Sequence, residues 1–182
     1  GYGIMSDKGY NLIAMATHGR SGITRWALGS VTDKVLHAST APLLVVRSTE
    51  EEAIPTQVAL KTLVVPLDGS PLAEEVLPHV VAFANSLSLS VTLVRVLAGD
   101  LGQGQEAGAL EHIREVSRAL RARGVASVTE AVFHGSAAEA IIDIAQAPAR
   151  ARGPERSGGE ATSESLIAMT THGRSGIGRW VL

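Results

Sequence analysis

The sequence predicts an α/β fold: an open, twisted parallel sheet with helices on both faces. Three observations predict it. Short apolar runs rich in Val, Ile and Leu alternate with longer amphipathic runs, the order of βαβ units. The strand-like runs are apolar nearly throughout, as strands covered on both faces must be. Gly, Ser and Pro sit at the junctions, where helices are capped and turns are made.

The elements follow in order. "NLIAMAT" (11–17) reads as a buried strand that ends at a glycine-containing loop. "LGSVTDKVLHAS" (28–39) reads as a helix, with Ser30 as N-cap and Val31, Val35 and Leu36 as its apolar stripe. "PLLVVR" (42–47) is a second strand, opened by Pro42. The acidic segment 48–60 is a connection. "KTLVVPLDG" (61–69) is a strand and turn. "SPLAEEVLPHVVAFANSL" (70–87) is a helix capped by Ser70, with Pro71 in its first turn and a kink expected at Pro78. "SVTLVRVL" (90–97) is a strand, and residues 99–108 a flexible loop. Residues 109–124 form an amphipathic helix ended by Gly124, 126–135 a strand, and 136–147 a helix opened by the capping box Ser136–Glu139. Residues 148–165 hold nothing apolar beyond Ala, so they are expected to be a mobile insertion. "LIAMTT" (166–171) is a strand again.

Composition narrows the function. The 182 residues carry a net charge of −2, so no electrostatic footprint points to nucleic acid. No apolar run approaches the ~20 residues of a membrane span. There is no cysteine, which removes disulfides and thiolate metal sites and fits a reducing, cytoplasmic setting. The first residues, "GYGIMSDKGY", read as the middle of something longer.

Two motifs carry chemistry. The first is written twice: "LIAMATHGRSGITRWAL" (12–28) and "LIAMTTHGRSGIGRWVL" (166–182) agree at 14 of 17 positions. In the first copy a strand runs into "HGRSG", and Gly29-Ser30 opens a helix. Glycines let backbone N–H groups approach a ligand, and a helix N-terminus adds unpaired donors and partial positive charge. Together they can cradle phosphate. Ser30 offers a hydroxyl, and Arg20 and Arg25 add charge. The same glycines would equally serve to turn the chain, with His18 a loop residue. The spacing matches neither GxxxxGK[ST] nor GxGxxG, and "GQGQEAG" (102–108) lies in the wrong loop for the latter. The second motif is "VVPLDGS" (64–70). An Asp at the carboxyl end of a buried strand can accept a hydrogen bond from a sugar hydroxyl, or hold Mg²⁺ through water. It can equally be the first residue of a turn, with Ser70 no more than a cap.

Together these motifs resemble the universal stress protein family, small α/β nucleotide-binding proteins related to the adenine-nucleotide α-hydrolases. The family signature Gly-x2-Gly-x9-Gly-Ser/Thr is similar to "ATHGRSGITRWALGS", with Gly19, nine residues, then Gly29-Ser30; Ala16 stands where the family has its first Gly. The first-strand signature matches "PLDGS" with Pro66, Asp68 and Ser70. The resemblance implies an ATP site made by Pro66, Asp68, Val96 (its backbone facing adenine), Ala16, His18, Gly19, Arg20, Gly22, Gly29, Ser30 and Val31. An incomplete second loop is implied at Thr170, Gly173 and Gly176. No protein group other than Asp68 is expected near Mg²⁺. No general base is positioned for hydrolysis, so no catalytic residue is assigned and at most a slow ATPase is implied. A nucleotide-free dimerisation module is the alternative. An adenylate-transferring enzyme is a remote one, because "LDGSPLAEE" lacks a pyrophosphate-binding run.

The resemblance also implies an organisation. Residues 1–47 would be the C-terminal part of a first domain (strand four, helix, strand five) and 48–60 a linker. Residues 61–182 would be a second domain without its last helix and strand. The family's sheet order is 3-2-1-4-5, so the pieces sum to one sheet, circularly permuted or swapped between the chains of a homodimer. Thirteen linker residues reach ~43 Å, against ~17–20 Å back along a strand and ~10 Å sideways. The first copy is expected to take the slot beside the strand at 61–69, because it brings a helix and another strand with it.

Overall fold

A computed structural model describes residues 12–18, 30–39, 41–48, 59–97, 99, 103–150 and 163–170. The chain divides into two units, taken separately below.

The N-terminal unit holds β1 (Ile13–His18), α1 (Ser30–Ala38) and β2 (Leu43–Ser48). The two strands pair in parallel, Ile13 opposite Leu43 through His18 opposite Ser48, and Ile13 N–H donates to Pro42 O at 3.0 Å. Ser39 stops the helix locally: its hydroxyl accepts the Ala41 N–H at 3.0 Å, turning the chain toward β2. Among the described residues of this unit, Val31 is 64% and Val46 53% exposed.

The larger unit holds β3 (Ala59–Pro66), α2 (Pro71–Glu74), α3 (Leu77–Leu87), β4 (Ser90–Leu97), α4 (Gln103–Ala122), β5 (Val128–His134), α5 (Ala137–Arg150) and β6 (Ser163–Ile167). Its four strands are parallel, in the order β5-β4-β3-β6. The chain steps from β3 to β4 to β5, then crosses back through α5 to the far side of β3. Right-handed crossovers therefore place α3 and α4 on one face and α5 on the other. The larger core lies on the first face, where Leu63, Val65, Val91 and Leu93 meet Val80, Ile113 and Leu120. Val64 and Val94, also buried, alternate to the second face, where α5 packs.

Several expectations change. Helix 70–87 is not one kinked helix but two: α2 ends at Glu74 and α3 restarts at Leu77, with Pro78 in its first turn, where a missing N–H leaves no bond unmade. Residues 103–108 are not loop but the first turns of α4, to which Gln, Glu and Ala contribute enough propensity to carry Gly104 and Gly108. The connection ends at residue 58, because β3 begins at Ala59. At the expected insertion, α5 runs on to Arg150 and β6 starts at Ser163; the mobility expected of residues between lies outside the described residues.

The largest change concerns the repeat. The slot beside β3 is held by β6, of the second copy, with Leu166 opposite Leu63 and Ile167 opposite Val64. β1, of the first copy, pairs with β2 in a sheet of its own. The physical reason is packing: α5 and β6 are in contact, and Leu166 and Ala168 pack on the core. The five-stranded order is thus not assembled in one sheet among the described residues.

One helix end is informative. α3 stops at Ser88, which is left-handed (φ 53) although it is not glycine, and Leu89 N–H bonds back to Ala84 O at 3.0 Å. That six-to-one bond is the mark of a Schellman ending, and buried Leu89 is its apolar partner.

Candidate functional site

The order of strands reverses between β3 and β6, because β3 leads away to one side and β6 lies on the other. In open α/β sheets such a reversal leaves a crevice at the carboxyl ends of the strands. Asp68 follows β3 there, and Thr170 follows β6.

The turn after β3 is built by its own residues. Asp68 Oδ1 accepts the Ser70 N–H at 2.8 Å, an Asx turn. Ser70 Oγ then accepts the Ala73 N–H at 3.2 Å and caps α2, whose Pro71 needs no partner. The Asp68 carboxyl is held below its ordinary range, first by the Ser70 hydroxyl and then by the Ser70 N–H; the charge of Arg95 adds to this and slight burial opposes it. Asp68 is therefore an exposed carboxylate at neutral pH, with acceptor capacity left for a ligand.

Gly69 between them is left-handed (φ 80). A Cβ there would lie 2.7 Å from Arg95 Nη1. Arg95 comes from β4 and runs under the turn, its Nη1 donating to Leu67 O at 3.3 Å. Its Nε is buried without a hydrogen-bond partner. On the other flank, Thr170 Oγ1 donates to Leu72 O at 3.0 Å and ties the end of β6 to α2.

Val96 lies on β4, opposite Phe133 of β5. Leu67 N–H donates to Val94 O, so Val94 turns its backbone toward β3. By alternation Val96 does the same, one step past the last β3–β4 pair, Pro66 opposite Val94. Its backbone polar groups thus face the side on which the chain of β3 turns away.

Of the residues singled out from sequence, Pro66, Asp68, Val96 and Thr170 gather at the carboxyl ends of β3, β4 and β6. Ala16 and His18 lie on β1, and Ser30 and Val31 at the start of α1, all in the other unit. Gly19, Arg20, Gly22, Gly29, Gly173 and Gly176 lie outside the described residues. Sequence reasoning missed Arg95. The signal was present: it is the one charge in the apolar strand "SVTLVRVL", at its carboxyl end. No group of three or more metal-ligating side chains exists among the described residues. No helix among them is long and apolar enough to cross a membrane.

The profile of the Universal stress protein family matches residues 4–47 and 59–149 of this chain. Among solved structures, a universal stress protein from Archaeoglobus fulgidus DSM 4304 is similar at a TM-score of 0.58 and 22% identity, over 76% of this chain and 47% of that one. The protein UspA from Lactobacillus plantarum is similar at a TM-score of 0.45 and 13% identity, over 62% of this chain and 99% of its own. A universal stress protein in complex with cAMP gives a TM-score of 0.45 at 18% identity, over 62% and 99%. Among curated proteins, no sequence is similar enough to count as a match.

Proposed function

The chain belongs to the universal stress protein family, and from that premise we propose that it binds an adenine nucleotide, ATP by preference, at the crevice between β3 and β6. The observation that carries this reading is Asp68: an ionised carboxylate on a self-built turn, at the point where the strand order reverses. In this reading Asp68 accepts hydrogen bonds from the ribose and the Val96 backbone faces adenine. The backbone N–H groups of a glycine loop hold the phosphates. Pro66 fixes the end of β3 and Gly69 keeps the floor free of a side chain. Mg²⁺, when bound with the phosphates, would neutralise their charge, with Asp68 reaching it through water.

The role is regulatory, a stress-response or signalling protein of the cytoplasm that assembles as a homodimer or a swapped oligomer. Turnover is slow or absent in this reading. Residues 1–47 are read as the end of a first family domain, and 61–182 as the greater part of a second.

The test is calorimetric titration with Mg·ATP, AMP and cAMP. Saturable binding that Asp68→Ala weakens by tenfold or more supports the reading. Wild-type affinity in that variant, or no heat with any nucleotide, refutes it. One observation favours a second reading, a nucleotide-free interaction module: Thr170 stands where the family places its first Gly, and its hydroxyl is already spent on Leu72 O. Purified protein with excess absorbance near 260 nm, released on denaturation as an adenine nucleotide, would rule this module out.

A further inference from the structure

We infer that Arg95 is a specificity-determining residue of the crevice: its guanidinium offsets the charge of Asp68, so that a phosphorylated ligand can enter where a carboxylate alone would repel it. This role rests on the nucleotide reading above, which leaves Arg95 without a part.

Arg95 stands between Val94 and Val96, opposite Val132 of β5 and one residue past the last β3–β4 pair, Pro66 opposite Val94. It is therefore at the carboxyl end of β4, where the chain of β3 turns away toward Asp68. By alternation it shares a face of the sheet with Leu93, which is fully buried. An aliphatic side chain would extend that core. A half-buried guanidinium does not, and drawing charge out of water costs free energy unless the charge is paired.

The turn after β3 is shaped around this charge. A Cβ on Gly69 would lie 2.7 Å from Arg95 Nη1 and 3.2 Å from both Cζ and Nη2, so the guanidinium fills the space of a missing side chain. Its hydrogen bonding is poor for an arginine at such a place. Nη1 donates to Leu67 O at 3.3 Å, and Nε is buried without a partner. Among the described residues no carboxylate makes a salt bridge with it. Glu74 of α2 is engaged by His112 of α4 at 2.8 Å, and Asp68 Oδ1 accepts the Ser70 N–H. What Arg95 supplies is thus charge more than hydrogen bonds. Asp68 is held ionised first by the Ser70 hydroxyl and then by the Ser70 N–H, and the charge of Arg95 adds to this. Asp68 and Arg95 together sum to zero. Asp68 alone would leave a negative charge facing a phosphate, whereas an uncharged nucleoside is indifferent to either state.

The test is calorimetric titration of adenosine, AMP and Mg·ATP into the wild-type chain, Arg95→Gln and Arg95→Lys. Gln keeps a donor for Leu67 O and removes the charge; Lys keeps the charge and removes the planar fork. Arg95→Gln should lose about tenfold in affinity for AMP, the effect of one unit charge acting over roughly 10 Å near a surface, with adenosine unchanged within about twofold. Arg95→Lys should keep the wild-type preference for AMP over adenosine. Equal losses for adenosine and AMP in Arg95→Gln would make Arg95 a prop for the turn and overturn the inference. So would unchanged affinities, or an Arg95→Lys variant that loses the preference. Should Arg95→Gln not fold, the preference kept or lost in Arg95→Lys decides. A wild-type chain that binds none of the three ligands sinks the nucleotide reading and this role with it; wild-type binding with equal losses sinks this role alone.

Discussion

Gly69→Ala tests the floor of the site more sharply than any change to Asp68. Gly69 sits at φ 80, where an L-residue crowds its own carbonyl; the left-handed conformation costs about 1–2 kcal/mol. The new Cβ would also stand 2.7 Å from Arg95 Nη1 and 3.2 Å from its Cζ, so the guanidinium must withdraw. Withdrawal forfeits its bond to Leu67 O, a loss of about 0.5–1.5 kcal/mol. The sum is about 1.5–3.5 kcal/mol, read as a lower midpoint in urea followed by far-ultraviolet circular dichroism. Arg95→Met separates the two parts. In that background Gly69→Ala should cost only the backbone share of about 1–2 kcal/mol, leaving a coupling of about 1 kcal/mol between positions 69 and 95. A single-variant loss within about 0.5 kcal/mol, the range of an indifferent surface site, would refute the turn geometry. Equal losses in both backgrounds would refute the contact with Arg95.

Two further outcomes follow from the same unit. The folded pKa of Asp68 lies below its unfolded value, so its charge contributes stability fully above the unfolded pKa of ~3.9 and loses it as pH falls through the folded value. Asp68→Asn should therefore flatten the acid limb of a stability–pH profile, and a limb of unchanged slope would contradict the Ser70 and Arg95 contacts. Ser117, on α4, is fully buried with an unpartnered hydroxyl, so Ser117→Ala should be neutral or stabilising by up to about 1 kcal/mol in the same urea assay.

Much of the fold was legible from local rules. The apolar run at 90–97 became β4 with the bounds read from sequence, and Gly124 closes α4 in a positive-φ conformation (φ 92). Ser70 caps α2 as its position before Pro71 implied. What local rules could not decide was competition. Two nearly identical strands suit one slot, and the one that holds it, β6, packs with α5 of its own unit, a property of the chain path and not of the strand. The glycine-containing start of α4 was misread for a related reason: the tertiary packing of Leu110, Ile113 and Val116 holds a helix whose first turns would be weak alone. At the site, the turn at Asp68–Ser70 was legible, because Asp before Gly-Ser suits an Asx turn followed by a helix cap. Arg95 was not, because its role depends on a turn twenty-six residues earlier that only the sheet brings beside it.

The left-handed Ser88 has a consequence for how this gene can vary. It sets a hard stop: the residue after it must enter the interior, and β4 begins one position later with its alternation already fixed. Adding or deleting one codon between Leu87 and Ser90 would swing Leu89 out by roughly a quarter turn of helix and exchange the two faces of β4. Val91 and Leu93 would then trade places with Thr92 and Val94. Length changes are thus forbidden at this junction, whereas Ser88→Gly would relax it.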